Sequence, residues 1–381
     1  MNEARRQVGG EVRQKAQALS SLIHRYADEL EQPAVLMEVC GTHTVNLRKY
    51  GIHTMLPGNI TLISGPGCPV CVTPSSYIDN ALRLIEDHGA AVATFGDMVK
   101  VPGTEGRSLS QYMGTELVRI VYSPGELLEI AENSRRPVVF LGIGFETTIP
   151  VIASVFLTAA ERKIDNLFLY PAFKTVAPAL KALLAEQERG FNGFLLPGHV
   201  SVIIGLGPYR FLESPDGVPG VVMGFEPLDM LEGIAVLVKL LLDGKREIHN
   251  CYTRAVRDEG NSKARQVMHT LLEPADALWR GLGTIPDSGL ALREKYARFD
   301  AAEQFSLPPL SSYEPLGCLC AQVIQGKAIP PDCSLFGSPC TPDQPVGPCM
   351  VSSEGTCAAY FRYGAPVRVN QNGGTRQKGG S

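Results

Sequence analysis

From residue 34 to about 243 the chain alternates short apolar runs, rich in valine, isoleucine and leucine, with amphipathic stretches of helical length. That alternation is the strongest constraint on the fold, because a parallel strand reaches its neighbour only through a crossover, usually a helix. The runs AVLMEVC, NITLISG, AAVATFG, RPVVFLGIGF, NLFLYPAF, FNGFLLPGH and GVVMGF are apolar without strict alternation, the pattern of strands covered on both faces. Between them YIDNALRLIEDHG, PGELLEIAENS, TIPVIASVFLTAAER, VAPALKALLAEQERG and LDMLEGIAVLVKLLLDG read as helices. Several carry a proline near the first turn, as at Pro74 and Pro124.

A chain of 381 residues has room for two or three domains at roughly 150 residues each. The expected architecture is α/β: two Rossmann-like parallel-sheet domains, residues 34–123 and 124–244, forming a cleft. After Gly244 the texture changes to charged helical sequence, REIHNCYTRAVRDEGNSKARQVMHTLLEPADALWRGL, and then to loops dense in proline, glycine and cysteine. Residues 1–33 and 245–365 are therefore expected to form a third, helical and loop-rich domain. The polar tail 366–381 lacks apolar anchors and reads as disordered.

Lysine plus arginine (35) against aspartate plus glutamate (39) leaves a net charge of -4 with no basic block, which argues against nucleic acid as a partner. The first residues alternate charged and apolar side chains, unlike a secretory signal. The long apolar run 137–160 contains Glu146, two glycines and Pro150, so strand, turn and helix fit it better than insertion in a membrane. A cytoplasmic protein is expected. Its ten cysteines then read as thiols, metal ligands or redox groups, in two sets: Cys40, Cys68 and Cys71 early, and six between Cys318 and Cys357, with Cys251 alone.

The polar motifs follow the strands: CGTHT (40–44), GPGCPVC (65–71), FGDM (95–98), GFETT (144–148) and PGHVS (197–201). Ligands of parallel sheets bind outside the carboxyl ends of strands, so these loops are expected on one rim and around one cleft. Cys40 and His43, three apart in a turn, can reach one ion or exchange a proton; a buried cysteine beside a capping threonine is the plainer alternative. The Cys68–Cys71 pair lies in a loop before the helix that starts near Pro74, too early for a thioredoxin-like dithiol at a helix start. Metal ligation and dithiol redox chemistry both stay open for it. Asp97, Glu146 and His199 are candidates for acid-base or hydrogen-bonding roles, or for caps.

The C-terminal set, GCLC followed by Cys333, Cys340, Cys349 and Cys357 with almost no histidine, suits an iron-sulfur cluster held by four thiolates better than zinc. Two cysteines are surplus, available for a disulfide or for redox work beside the cluster.

Together CGTHT, GPGCPVCVTP, FGDMVKVPG, GFETT, PGHVS and the ending FGSPCTPDQPVGPCMVSSEGTCAAY resemble the HypD family of nickel-iron hydrogenase maturation proteins, over about residues 34 to 363. The resemblance implies a scaffold on which one iron acquires two cyanides and one carbon monoxide before delivery to the hydrogenase large subunit. It implies as partners a HypC-type chaperone and a HypE-type cyanide donor with its carbamoyltransferase. By motif, Cys40 is the leading iron ligand supported by His43. Cys68 and Cys71 become a cleft dithiol that holds the iron or delivers electrons, and Glu146 and His199 belong to the same catalytic group. The family's cluster spacing of 14, 6 and 16 intervening residues falls on Cys318, Cys333, Cys340 and Cys357 for a [4Fe-4S] cluster. Cys320 and Cys349 are then the surplus redox pair. Two other classes remain: a stand-alone iron-sulfur dithiol oxidoreductase, and a zinc-stabilised binding protein.

Overall fold

The computed structural model describes residues 2–186 and 189–364, so the expectation for the tail lies outside the described residues. Helix α1 (Asn2–Asp28) leads into β1 (Ala34–Glu38), α2 (Gly41–Lys49) and β2 (Ile60–Ser64). The loop with Cys68 and Cys71 then enters α3 (Ser76–Glu86), β3 (Ala91–Thr94) and β4 (Val118–Ile120). Next come α4 (Glu126–Glu132), β5 (Val138–Gly142), α5 (Ile149–Arg162), β6 (Leu167–Pro171) and α6 (Val176–Leu184). The chain continues through β7 (Gly193–Pro197), α7 (Gly198–Ile204), β8 (Gly220–Met223), α8 (Pro227–Leu242) and β9 (Ile248–Asn250). Helix α9 (Ser262–Leu271) precedes the strands β10 (Leu272–Trp279) and β11 (Gly283–Leu292). The short helices α10 (Ala301–Gln304), α11 (Cys320–Ile324), α12 (Pro348–Val351) and α13 (Thr356–Tyr363) follow.

The fold is α/β with two parallel sheets, and all seven expected strands form. One sheet has the order β2-β1-β7-β8-β9 and the other β4-β3-β5-β6. Helices cover both faces, which is why Phe194, Leu195 and Leu196 on β7 are all fully buried and why these runs lack polar alternation.

The break expected at Pro124 is not where the chain changes sheets. Strands β3 and β4, before it, belong to the four-stranded sheet, whereas β7 and β8, after it, return to pair beside β1 with Leu36 opposite Gly193. The four-stranded unit is thus inserted between two parts of the five-stranded one. Helix α1, grouped in the sequence reading with the C-terminal region, instead packs Ile23 and Ala27 in one core with Leu231 and Ile234 of α8. The charged stretch after Gly244 is helical only in α9. Beyond it, β10 and β11 form an antiparallel hairpin whose turn uses Gly281 and Gly283 at positive φ, with Trp279 fully buried.

In each parallel sheet the chain first steps from one central strand to an edge on one side and later adds strands on the other. The strand order reverses between β1 and β7 in one sheet and between β3 and β5 in the other. Such reversal points leave a crevice at the carboxyl ends, because the two flanking loops turn away from each other. The loops at the first are CGTHT and PGHVS, and those at the second are FGDM and GFETT.

Candidate functional site

Cys40 follows β1 in extended geometry and occupies the N-cap of α2. The loop after β2 is pressed against it: the Gly41 amide donates to the Gly67 carbonyl at 2.9 Å, and the Gly65 amide to Glu38 at 2.7 Å. Approach is so close that a Cβ on Gly67 would stand 2.4 Å from the Cys40 nitrogen, so only glycine fits there. This contact brings the Cys68–Cys71 loop onto Cys40. Cys68 and Cys71 are joined as a disulfide, buried in one core with Phe145, Val176, Val200 and Trp279.

Cys40 is the free, half-buried thiol of this group. Burial and then the neighbouring Glu354 carboxylate push its pKa up to about 12, against weaker support for the thiolate from the amides of His43 and Thr42. Cys40 therefore stays protonated at neutral pH until a cation displaces the proton.

His43 is fully buried on α2. Its Nε2 lies 3.0 Å from the Gly224 carbonyl, an acceptor only, so Nε2 carries the hydrogen and Nδ1 presents a lone pair that has no partner. Burial lowers its pKa to about 4, keeping the ring neutral. The Phe225 ring is stacked between His43, 4.5 Å away, and the exposed His199 of α7, 3.7 Å away. His199 is lowered as well, by desolvation. The two histidines predicted from separate motifs thus share one aromatic spacer.

Glu146 sits at the second crevice. Its Oε1 accepts the Val176 amide at 2.9 Å, whereas Oε2 is buried without a partner, and burial raises its pKa to about 7. Tyr209, whose hydroxyl lies 3.3 Å from Ser201 Oγ, stands within electrostatic reach of both Glu146 and Cys40. Asp97 is committed elsewhere. Its Oδ2 accepts Ser352 Oγ, the Ser353 amide and Ser353 Oγ at 3.1, 3.0 and 2.9 Å. The next residue, Glu354, accepts the Thr42 hydroxyl at 2.5 Å. Residues 352–354 therefore form a strap from the C-terminal segment that ties the FGDM loop to the CGTHT turn. Sequence reasoning named Asp97 but missed Glu354 and the strap; the only signal was a Ser-Ser-Glu run between two cysteines.

The C-terminal cysteines gather at a second place. A small enclosed cavity is lined by Cys318, Cys320, Cys333, Cys340 and Cys357 with apolar neighbours such as Leu335 and Phe336. Gly347 lies against the sulfurs, where a Cβ would meet Cys320 Sγ at 2.8 Å and Cys318 Sγ at 3.0 Å. Cys340 Sγ accepts the Val346 amide at 3.3 Å. Cys349 is fully buried behind this lining. Its thiol is lowered by sulfur contacts with Cys320 and Cys357, while Cys357 is raised by the same contacts. An all-sulfur, otherwise apolar chamber fits the donor preference of an iron-sulfur cluster. Among the described residues no group of three or more histidine, cysteine, aspartate or glutamate side chains is placed to hold a single metal ion. A surface groove of the four-stranded unit, lined by Ala91, Arg119 and Arg136, holds none of the motif residues.

Similarity to known proteins covers nearly the same span. A family model, HypD, described as the hydrogenase formation hypA family, matches residues 14–364. A putative hydrogenase expression/formation protein of Methanocaldococcus jannaschii is 40% identical over 342 residues, 90% of this chain and 95% of that protein. The hydrogenase expression/formation protein HupD of Azotobacter chroococcum is 42% identical over 357 residues, 92% of this chain and 94% of its own. The hydrogenase maturation factor HypD of Escherichia coli is 42% identical over 335 residues, 87% of this chain and 90% of its own.

Proposed function

The chain belongs to the HypD family, with a role in hydrogenase maturation, and on that premise we propose that it is the scaffold on which the hydrogenase iron receives two cyanides and one carbon monoxide. The observation that carries this reading is the seating of Gly67 on the Cys40 backbone, which holds one free thiol and one disulfide together at the crevice between β1 and β7.

Iron is here the cargo. The Cys40 thiol gives up its proton as the sulfur takes the metal. Cys68 and Cys71 cannot both ligate iron as a disulfide. Its reduction takes two electrons and two protons and yields two thiols. A thiolate from a HypC-type chaperone completes the iron's protein ligands, and a HypE-type protein with its carbamoyltransferase supplies cyanide. Cys318, Cys333, Cys340 and Cys357 would hold a [4Fe-4S] cluster, which supplies one-electron chemistry when bound, with Cys320 and Cys349 as the surplus pair. No described helix is long and apolar enough to cross a membrane.

Anaerobic infrared spectroscopy of the chain co-purified with its small chaperone tests the proposal. Cyanide and carbon monoxide stretches are expected, and Cys40→Ala removes them while leaving the iron-sulfur absorption intact. A maturation-competent complex without those bands overturns the scaffold reading.

A further inference from the structure

Arg280 lies in the turn between β10 and β11, outside every motif, and this turn contacts both thiol segments. Its side chain is only 1% exposed. A buried guanidinium needs compensation on all sides of its fork. Glu314 Oε2 takes Nη2 at 2.9 Å and Nε at 3.1 Å, and Ser75 Oγ takes Nη1 at 3.0 Å. The Glu314 side chain is 30% exposed, although its other oxygen, Oε1, is itself buried without a partner.

The backbone around Arg280 makes the same two-sided contact. Its amide donates to the Val72 carbonyl at 2.7 Å, immediately after Cys71. On the other side the Gly281 carbonyl accepts from Gln325 Nε2, and Gly281 packs so tightly on Ala321 that a Cβ would meet its Cα at 2.9 Å. Ala321 follows Cys320 at the start of α11. Burial opposes the charge on Arg280, but the nearby Cys320 sulfur, Glu314 and Cys349 more than restore it.

We propose that Arg280 is a positioning residue for the C-terminal sulfur site: its buried guanidinium compensates negative charge beside the Cys318–Cys357 sulfurs and raises the reduction potential of the centre they hold, while its backbone amide keeps the Cys68–Cys71 loop in register. The inference rests on the cluster reading given above. A positive charge stabilises the more negative, reduced state, so removing it lowers the potential and removing the counter-ion raises it.

Potentiometric titration of the cluster, followed by visible absorption or electron paramagnetic resonance on the full chain purified anaerobically, reads this directly. Arg280→Gln is expected to shift the oxidised-to-reduced ratio at fixed potential about tenfold towards oxidised, ~59 mV for a one-electron couple. Arg280→Lys keeps most of the charge and most of the potential. Glu314→Gln moves it the opposite way, and because Glu314 is partly exposed this variant decides the matter if Arg280→Gln does not fold. A purely structural role moves both variants in the same direction, since loosening admits water in either case. An unmoved potential, or shifts of one sign, overturns the Arg280 assignment alone. Iron and sulfide analysis that finds no cluster in the unsubstituted chain overturns the cluster reading and this inference with it.

Discussion

Glu146→Gln isolates the energetic consequence of placing a carboxyl at the crevice of the four-stranded sheet. Only one of its oxygens is partnered, and burial lifts its pKa from 4.5 to about 7. The folded state therefore binds this proton more tightly than the unfolded chain does. Below pH 4.5 the group is protonated in both states and adds no pH dependence. Between 4.5 and 7 the unfolded chain ionises first, stability falls as pH rises, and above 7 the loss is complete. At about 1.4 kcal/mol per pH unit that loss is roughly 3 kcal/mol. Glutamine keeps the acceptor for the Val176 amide but cannot ionise. The stability difference between variant and parent should thus move by roughly 3 kcal/mol in favour of glutamine between pH 4.5 and 8. Trp279, the single tryptophan, has its ring 6.0 Å from that of Phe145, and its fluorescence during urea unfolding reports on this region. Other buried carboxyls, such as Glu38, cancel in the difference. A difference that stays flat across this pH range would refute the argument that burial holds Glu146 protonated.

Lys174 is buried over the Trp279 ring at 5.8 Å with no carboxylate partner among the described residues, and burial lowers its pKa from 10.5 to about 8. Lys174→Met should stabilise the chain by roughly 3 kcal/mol below pH 8, a gain that shrinks towards pH 10.5 as the parent sheds the proton on folding; urea midpoints at pH 7 and 10 check both the size and the trend. Asp97→Ala leaves three donors of the strap without their acceptor, at a local cost of about 2 kcal/mol. Hydrogen exchange over residues 352–354 should quicken by more than tenfold, and unchanged protection there would show that the strap is held by other contacts. Gly67→Ala drives a methyl into the Cys40 backbone and is expected to lift the loop at a cost of about 1–3 kcal/mol. In the reduced chain Cys68 and Cys71 should then alkylate faster than in the parent, as read by mass spectrometry.

The strands and the loops that carry the motifs were legible because burial on both faces writes itself into composition, residue by residue. Sheet membership was not. Nothing local in FNGFLLPGH says that Gly193 pairs with Leu36, some 150 positions earlier, instead of with the preceding strand. The hairpin was missed for a related reason: LEPADALW buries only alternate and end positions, and its charged and helix-favouring residues matched the period of neither element. Arg280, Lys174 and Glu354 were invisible because their significance comes from burial and from partners distant in the chain, which residue type does not encode. The motif loops still follow the carboxyl ends of the strands, although the chain does not change sheets at Pro124. The rule that ligands gather at carboxyl ends of parallel strands depends only on strand direction, which any βαβ pattern supplies. The finer result, that CGTHT with PGHVS and FGDM with GFETT form matched pairs, depends on strand order. Each pair flanks the one position in its sheet where adjacent loops diverge, so the return of β7 beside β1 is what brings His43 and His199 onto the same Phe225 ring.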